Sequence, residues 1–424
     1  MVKPGYKQSE VGIIPEDWGV STLRAAFPKL EAGVSVNSDN MTSSKYHILK
    51  TSAVHNGIVD PAEVKPVIKA DYSRLKCPLV QGSIIISRMN TPALVGECGY
   101  VKNASIDVYL PDRLWQGQNP KDSDYNFEWL NYLLNTKRYR DAVRATATGT
   151  SNSMKNISKE RLMEIDIPCP SLDEQNRISA ALSDIDTLIA NLEKLIAKKK
   201  AIKQGAMQEL LTGKRRLPGF TEEWKINKIG AFGEFVSGSC FPLAYQGKQG
   251  ERYPFYKVSD FNNPGNERNL NQANNYISPD TADYLGCKII PEKAIVIAKI
   301  GAAIFLERKK LTTVCCCIDN NMMAFVPFDV RSAQFICYVF QSMKLGELAE
   351  ATALPSLSGK TICSVERKFP QTIEEQMSIA TVLADMDSEI DVLSEKLSKY
   401  RMIKSGMMSE LLTGRIRLID KEDA

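Results

Sequence analysis

Side chains suited to nucleic-acid recognition gather wherever this 424-residue sequence reads as a turn. Arg88 and Asn90 fall in RMNT, Lys102 in KN, Gln118 in QGQN, and Asn152, Ser153 and Lys155 in GTSNSMK. Further on come Lys299, the run Arg308, Lys309 and Lys310, the pair Asn320 and Asn321, and Ser358 with Lys360 in SLSGK. Arg and Lys neutralise phosphates or pair with guanine, and Asn and Gln pair bidentately with adenine. Solvated loops have the same composition, so no single residue argues for DNA. The argument rests on their falling into two sets on two matching frames.

Catalytic chemistry has little material. Ser358-Gly359-Lys360-Thr361 looks like the end of a phosphate loop, but that motif needs glycine where Leu354 stands, so a turn after a helix is the better reading. Asn119-Pro120 is followed by Lys121 and Asp122, not by the Pro-Tyr of a DNA amino-methyltransferase, and no glycine-rich cofactor loop follows a strand. The two histidines, His47 and His55, offer too little for a metal or a His-based centre. Ten cysteines occur without any C-x-x-C pair, Cys315, Cys316 and Cys317 standing in a row; they read as reduced, mostly buried and without metal. Asp184 and Asp186 read as solvated on the polar side of a helix. No catalytic residue and no metal site is expected.

With 43% hydrophobic and 8% aromatic residues the chain can build real cores. It has no apolar run of membrane-spanning length, and its opening MVKPGYKQSEVG lacks the apolar stretch of a secretion signal, so a cytoplasmic protein with no membrane partner is expected. The net charge of +4 divides into +3, +3, +2 and −4 over residues 1–170, 171–217, 218–370 and 371–424. The last segment is acidic and the rest mildly basic.

The elements that must position the candidate residues are written twice. ELLTG occurs at Glu209 and again at Glu410, and residues 175–217 align without a gap on 376–418, 201 positions later, with 19 of 43 residues identical. Upstream, Trp18 matches Trp224, and Ala145-Thr146-Ala147 matches Ala351-Thr352-Ala353, at an offset of 206. Within the aligned segments Ile178, Leu182, Ile185, Ile189, Leu192 and Ile196 step by four and three, answered by Ile379, Leu383, Met386, Ile390, Leu393 and Leu397. This 3.5-residue period predicts a coiled-coil seam on a long helix. Carboxylates open each helix (Asp173, Glu174; Glu374, Glu375), and Thr-Gly followed by Arg or Lys closes it. Some 38 residues at ~1.5 Å each give a rod of roughly 55 Å, too long for the core of a compact domain. The competing reading is packing into an ordinary helical bundle. A narrow seam and the run Lys198-Lys199-Lys200 argue against it.

The larger units read as α/β. YHILKTSAV, GSIIISR and VGECGYV read as short strands before one helix, FEWLNYLLNTKRYRDAVRA; FYKVSDF, AIVIAKIG and VCCCIDNNMMAFV precede AQFICYVFQSMKLGELAEA in the second copy. The expected organisation is residues 1–170, a recognition unit; 171–217, a long helix; 218–370, a second unit; and 371–424, a second long helix with the acidic tail. The frames match and the loop residues differ.

Three stretches carry a family resemblance: YKQSEVGIIPEDW, PSLDEQNRISAAL with its copy TIEEQMSIATVL, and ELLTGKRRLPGFTEEW with its copy ELLTGRIRL. Over essentially the whole chain they resemble the specificity subunit of type I restriction-modification systems. The resemblance implies two α/β target recognition domains, related by a pseudo-twofold repeat and separated by two long helices in an antiparallel coiled coil. It implies that each domain reads one half of a bipartite, asymmetric site in double-stranded DNA. It further implies two methyltransferase (modification) subunits carrying S-adenosylmethionine, restriction/translocase subunits using ATP and Mg, and no cofactor or catalytic residue on this chain. Two other functions stay open on the residues alone: a coiled-coil interaction scaffold without nucleic acid, and an enzyme whose site escapes the motif search.

Overall fold

The computed structural model describes residues 2–39, 43–148, 154–350 and 354–419. Contacts divide the chain into two units, one of Met1–Glu193 with Lys396–Ala424 and one of Lys194–Glu395.

The first unit is built on a six-stranded sheet in the order Leu30–Ala32, Leu114–Gly117, Ile84–Ser87, Cys98–Tyr100, Gly57–Val59, Val54–His55. The continuous apolar run Ile84, Ile85, Ile86 is fully buried because both faces of the sheet are covered. Ile84 and Ile86 enter a core with Phe27, Trp115, Phe127 and Trp129, whereas Ile85 enters a second core with Leu49, Val59 and Leu110. Alternation along a strand dictates this split. The helical segment expected as one piece is two, Phe127–Leu134 and Lys137–Ala145. Thr136 turns extended (ψ 154°) and its hydroxyl donates to the Leu133 carbonyl at 2.8 Å, which ends the first helix and starts the second.

The second unit repeats the plan with five strands, in the order Gly233–Ser237, Met322–Pro327, Ile295–Ala298, Lys309–Thr312, Asn269–Leu270. Ile295 and Ile297 join Phe325, Phe335 and Phe340, and Val296 joins Tyr256 and Phe261 on the other face. Here the helix is Ala333–Ser342, and the residues after it form a short 3-10 turn, Leu345–Leu348.

The long helices are Leu172–Leu210 and Ile373–Leu411, 39 residues each. Ser171 Oγ accepts from the Glu174 amide at 3.2 Å and Thr372 Oγ1 from the Glu375 amide at 3.4 Å, so both starts are capped by hydroxyls. Gly213 and Gly414 each sit at φ 70°, and the amides of Arg215 and Ile416 close back on the carbonyls of Glu209 and Glu410 at 3.2 Å. That is the left-handed helix stop for which glycine is selected. Of the seam residues, Ile178, Leu182, Ile185, Ile196, Ile379, Leu383 and Ile390 are buried; Ile189, Leu192, Met386, Leu393 and Leu397 are half-buried.

In each unit a stretch of one long helix runs antiparallel to a stretch of the other. The first unit pairs Asp186 with Lys404 (2.7 Å) and Glu193 with Arg401 (2.6 Å); the second pairs Lys203 with Asp387 and Lys199 with Glu389, both at 2.6 Å. Asp186 is thus not simply solvated: it also accepts from the Tyr132 hydroxyl at 2.8 Å, as Asp387 accepts from Tyr338 at 2.7 Å. A second repeated contact ties head to helix. Trp18 Nε1 donates to Glu174 (2.9 Å), which Arg417 grips through two nitrogens; Trp224 Nε1 donates to Glu375 (3.2 Å), which Arg216 grips likewise. Both glutamates are 1% exposed, and a buried carboxylate is tolerated only with partners of this kind.

Candidate nucleic-acid interface

The central buried strand of each unit ends in a cation. In the first, Ile84–Ser87 runs into Arg88, whose amide donates to the Arg113 carbonyl (3.1 Å) and whose carbonyl accepts from Ile157 (2.8 Å). In the second, Ile295–Ala298 runs into Lys299, whose amide donates to Asn321 (2.9 Å) and whose carbonyl accepts from Leu357 (2.8 Å). Arg88 and Lys299 therefore occupy one position of the repeat.

A short ribbon extends from that position. Met89 pairs with Asn156 and Asn90 with Lys155, and Asn156 pairs on its other side with Thr148; in the second unit Ile300 and Glu350 both bridge to Ser356. The Arg88 guanidinium lies 5.4 Å from the Trp115 ring centroid, which restricts it before any ligand arrives. Arg88 Nε and Asn156 Oδ1 are buried without a hydrogen-bond partner among the described residues. Asn90 is oriented by its bond to Ser87 Oγ at 3.2 Å. In the second unit Asn320 is exposed beside Asn321, whose amide and side chain both donate to Asp319 Oδ1 at 2.7 Å. Ser358 stands at the start of the helix Gly359–Ser364, its hydroxyl making no capping bond there, with Lys360 exposed in its first turn.

The structure thus brings Arg88, Asn90 and Lys155 onto one ribbon, and backbone bonds join Lys299 to the neighbours of Asn320 and Ser358. Asn152 and Ser153 lie outside the described residues, as does the repeat segment Ala351–Ala353. Lys102 is engaged with Glu128 (3.2 Å) and Ser183 (3.4 Å), and Gln118 with Glu31 (3.2 Å). Arg308 is half-buried. Lys309 and Lys310 correct the expectation of loop cations, being strand residues only 5% and 7% exposed. Lys309 Nζ donates to Glu307 and to the Met343 carbonyl, and Lys310 Nζ to the carbonyls of Phe261 and Asn266. Burial lowers the Lys309 pKa although Glu307 opposes it. These two ammonium groups tie down loops and are covered from a ligand. Trp115, Arg113 and Asn156 also stand at this position, and the sequence marks them only by the aromatic in RLWQG, a signal that a buried core residue gives equally.

Among the described residues no cluster of His, Cys, Asp or Glu could hold a metal ion, and no helix is long and apolar enough to cross a membrane.

Residues 15–204 and again 221–399 match the family model of the type I restriction modification DNA specificity domain. The chain belongs to this family of specificity subunits. Two relatives from Methanocaldococcus jannaschii lie in the same range of likeness. One, provisionally named the type I restriction enzyme MjaX specificity subunit, is 24% identical over 97% of both chains. The other, the type I restriction enzyme MjaVIII specificity subunit, is 24% identical over 68% of this chain and 70% of its own. The crystal structure of a type I restriction-modification S subunit from M. genitalium has the same fold, with a TM-score of 0.60 and 17% identity over 96% of this chain and 98% of that one. Two consecutive matches to one domain agree with the two units of this specificity subunit, each carrying its own ribbon.

Proposed function

We propose that each ribbon reads one half of a split target in double-stranded DNA. The observation that carries this is a shared backbone position with unlike side chains: Arg88 with Asn90, Arg113 and Asn156 in one unit, Lys299 with Ile300, Asn321 and Ser356 in the other. Matching frames with different donors and acceptors would read two different words, which makes the site asymmetric. A 39-residue helix at ~1.5 Å per residue is longer than one ~34 Å turn of DNA, as a spacer between two half-sites requires.

In this reading the chain catalyses nothing. Two modification subunits dock on the helices and supply S-adenosylmethionine and methyl transfer; restriction/translocase subunits supply ATP and Mg chemistry; the assembly works in the cytoplasm. The test is a methylated-base map from cells that express this chain with its modification partner. Exchange of residues 224–353 for the matching segment of a relative should change one half of the methylated sequence and leave the other. A change in both halves, or in neither, refutes the reading.

A further inference from the structure

The first unit holds a groove of about 1120 Å³ whose lining includes none of Arg88, Asn90 and Lys155. It runs between the hairpin of Tyr6–Ser9 and Gly12–Pro15, the bend between the helices Phe127–Leu134 and Lys137–Ala145, and the last turns of the second long helix. Its floor is apolar, with Val11, Ile13, Leu133, Tyr139, Met408 and Leu412, and Ile13 is 53% exposed. Its rim is cationic. Lys3, Arg138 and Arg140 have no carboxylate partner among the described residues, and Lys137 meets Asp141 only at 3.9 Å with both side chains largely exposed. Arg401, Lys404 and Arg415 join them, already paired with Glu193, Asp186 and Glu410. No Asp or Glu lines the groove among the described residues.

Two buried polar atoms in its wall lack a partner. The Tyr139 hydroxyl and Asn135 Oδ1 make no hydrogen bond among the described residues, although Tyr139 is 5% exposed and Asn135 8%. A buried hydroxyl without a partner is costly, and an occupant that accepts from it would remove the cost.

The matching positions of the second unit are built differently. Where the first unit has Asn135, Lys137 and Tyr139, the second has Gln341, Met343 and Leu345, and the last two are buried at 4% and 2%. No strand forms over residues 212–223, so the hairpin has no counterpart. A groove built from residues of the first unit offers one site per chain.

We propose that this groove docks an acidic amphipathic peptide segment of a protein partner, one copy per chain. Apolar side chains of the segment cover Ile13 and Met408, its carboxylates meet Lys3, Lys137 and Arg140, and one carboxylate accepts from Tyr139. Duplex DNA fits less well, because a phosphate backbone has nothing to place on an apolar floor. The volume also exceeds that of most small-molecule sites.

The test uses the full chain and a fluorescein-labelled helical peptide of about 18 residues, with leucines at i, i+3, i+4 and i+7 spacing and glutamates elsewhere. The same peptide with lysines for glutamates and a labelled DNA duplex are the controls. The glutamate peptide should bind one per chain by native mass spectrometry, and at least about tenfold more tightly than the lysine peptide. Lys3→Glu with Lys137→Glu, both at exposed positions, should weaken it about tenfold or more while duplex binding holds. Tyr139→Phe removes only a hydroxyl without a partner among the described residues, so it keeps the fold and should weaken the glutamate peptide several-fold. The proposal fails if the variants bind the peptide as the parent does, if two peptides bind per chain, or if duplex DNA displaces the peptide and the charge reversals weaken duplex binding instead.

Discussion

At the scale of single residues, burial separates cations that can meet DNA from cations that cannot. Arg88 is half-buried over Trp115 with a guanidinium that no carboxylate neutralises among the described residues, whereas Lys309 spends its charge inside the protein. Two opposite outcomes are expected. Arg88→Ala should weaken duplex binding by ~1–3 kcal/mol and relax one half of the methylated sequence, and Lys299→Ala should act on the other half. Lys309→Met should leave the methylated sequence unchanged and lower unfolding stability by about 1–2 kcal/mol, because the Met343 carbonyl loses its donor. A methylation map and urea unfolding of the three variants check both. The sequence could not sort these residues. RKK at 308–310 reads as a polar turn, yet it contains the start of a strand whose charged ends are satisfied by the carbonyls of distant loops.

At the scale of elements, the long helices were legible nearly to their last residues. Each carries its own signals: a seam of period 3.5, carboxylates in the first turn and glycine at the stop. The helix through FEWLNYLLNTKRYRDAVRA was less legible, since its apolar period continues past the break that Thr136 imposes. That the two helices pair was legible; which clamp residue meets which was not. A repeat of 201 residues leaves open whether Arg417 grips Glu174 or Glu375, because both glutamates follow the same sequence signal. In the first unit Arg417 holds Glu174 and Asp17 together. Glu174→Gln should therefore cost about 3 kcal/mol in urea unfolding, the scale for breaking a buried pair, and Glu375→Gln a similar amount through Arg216. The pH dependence has a definite sign. The hydrogen bond from Arg417 holds the Asp17 carboxyl below its ordinary value of ~3.9, so this contribution is present above that value and is lost as pH falls through the lower one. Asp17 is largely exposed, so the effect is small; in Arg417→Ala the acid limb of the stability curve should flatten rather than steepen.

At the scale of the whole chain, each unit is finished by sequence from the other repeat. The first unit needs Lys396–Ala424, and most of that segment has a counterpart in the first half, 201 residues earlier. Lys203 stands for Lys404, Gly213 for Gly414 and Arg216 for Arg417. A fragment of residues 1–217 therefore contains both sides of its own missing contacts but cannot close them within one copy, because the helix Leu172–Leu210 is continuous and its two ends lie 39 residues apart. Two copies can close them reciprocally: Arg216 of each would grip Glu174 of the other, and Lys203 of each would meet the other's Asp186. The seam adds apolar area at ~1.5–3 kcal/mol per covered residue, and such an interface is twofold and self-complementary. The fragment is expected to sediment as a homodimer and, with the modification subunit, to direct methylation to a palindrome made of the first half-word and its inverted copy. Arg216→Glu should dissociate the dimer by placing two like charges in the clamp, and the double variant Glu174→Arg with Arg216→Glu should restore it. A fragment that stays monomeric, or a dimer that still marks an asymmetric site, would mean that the two copies of the clamp are no longer interchangeable.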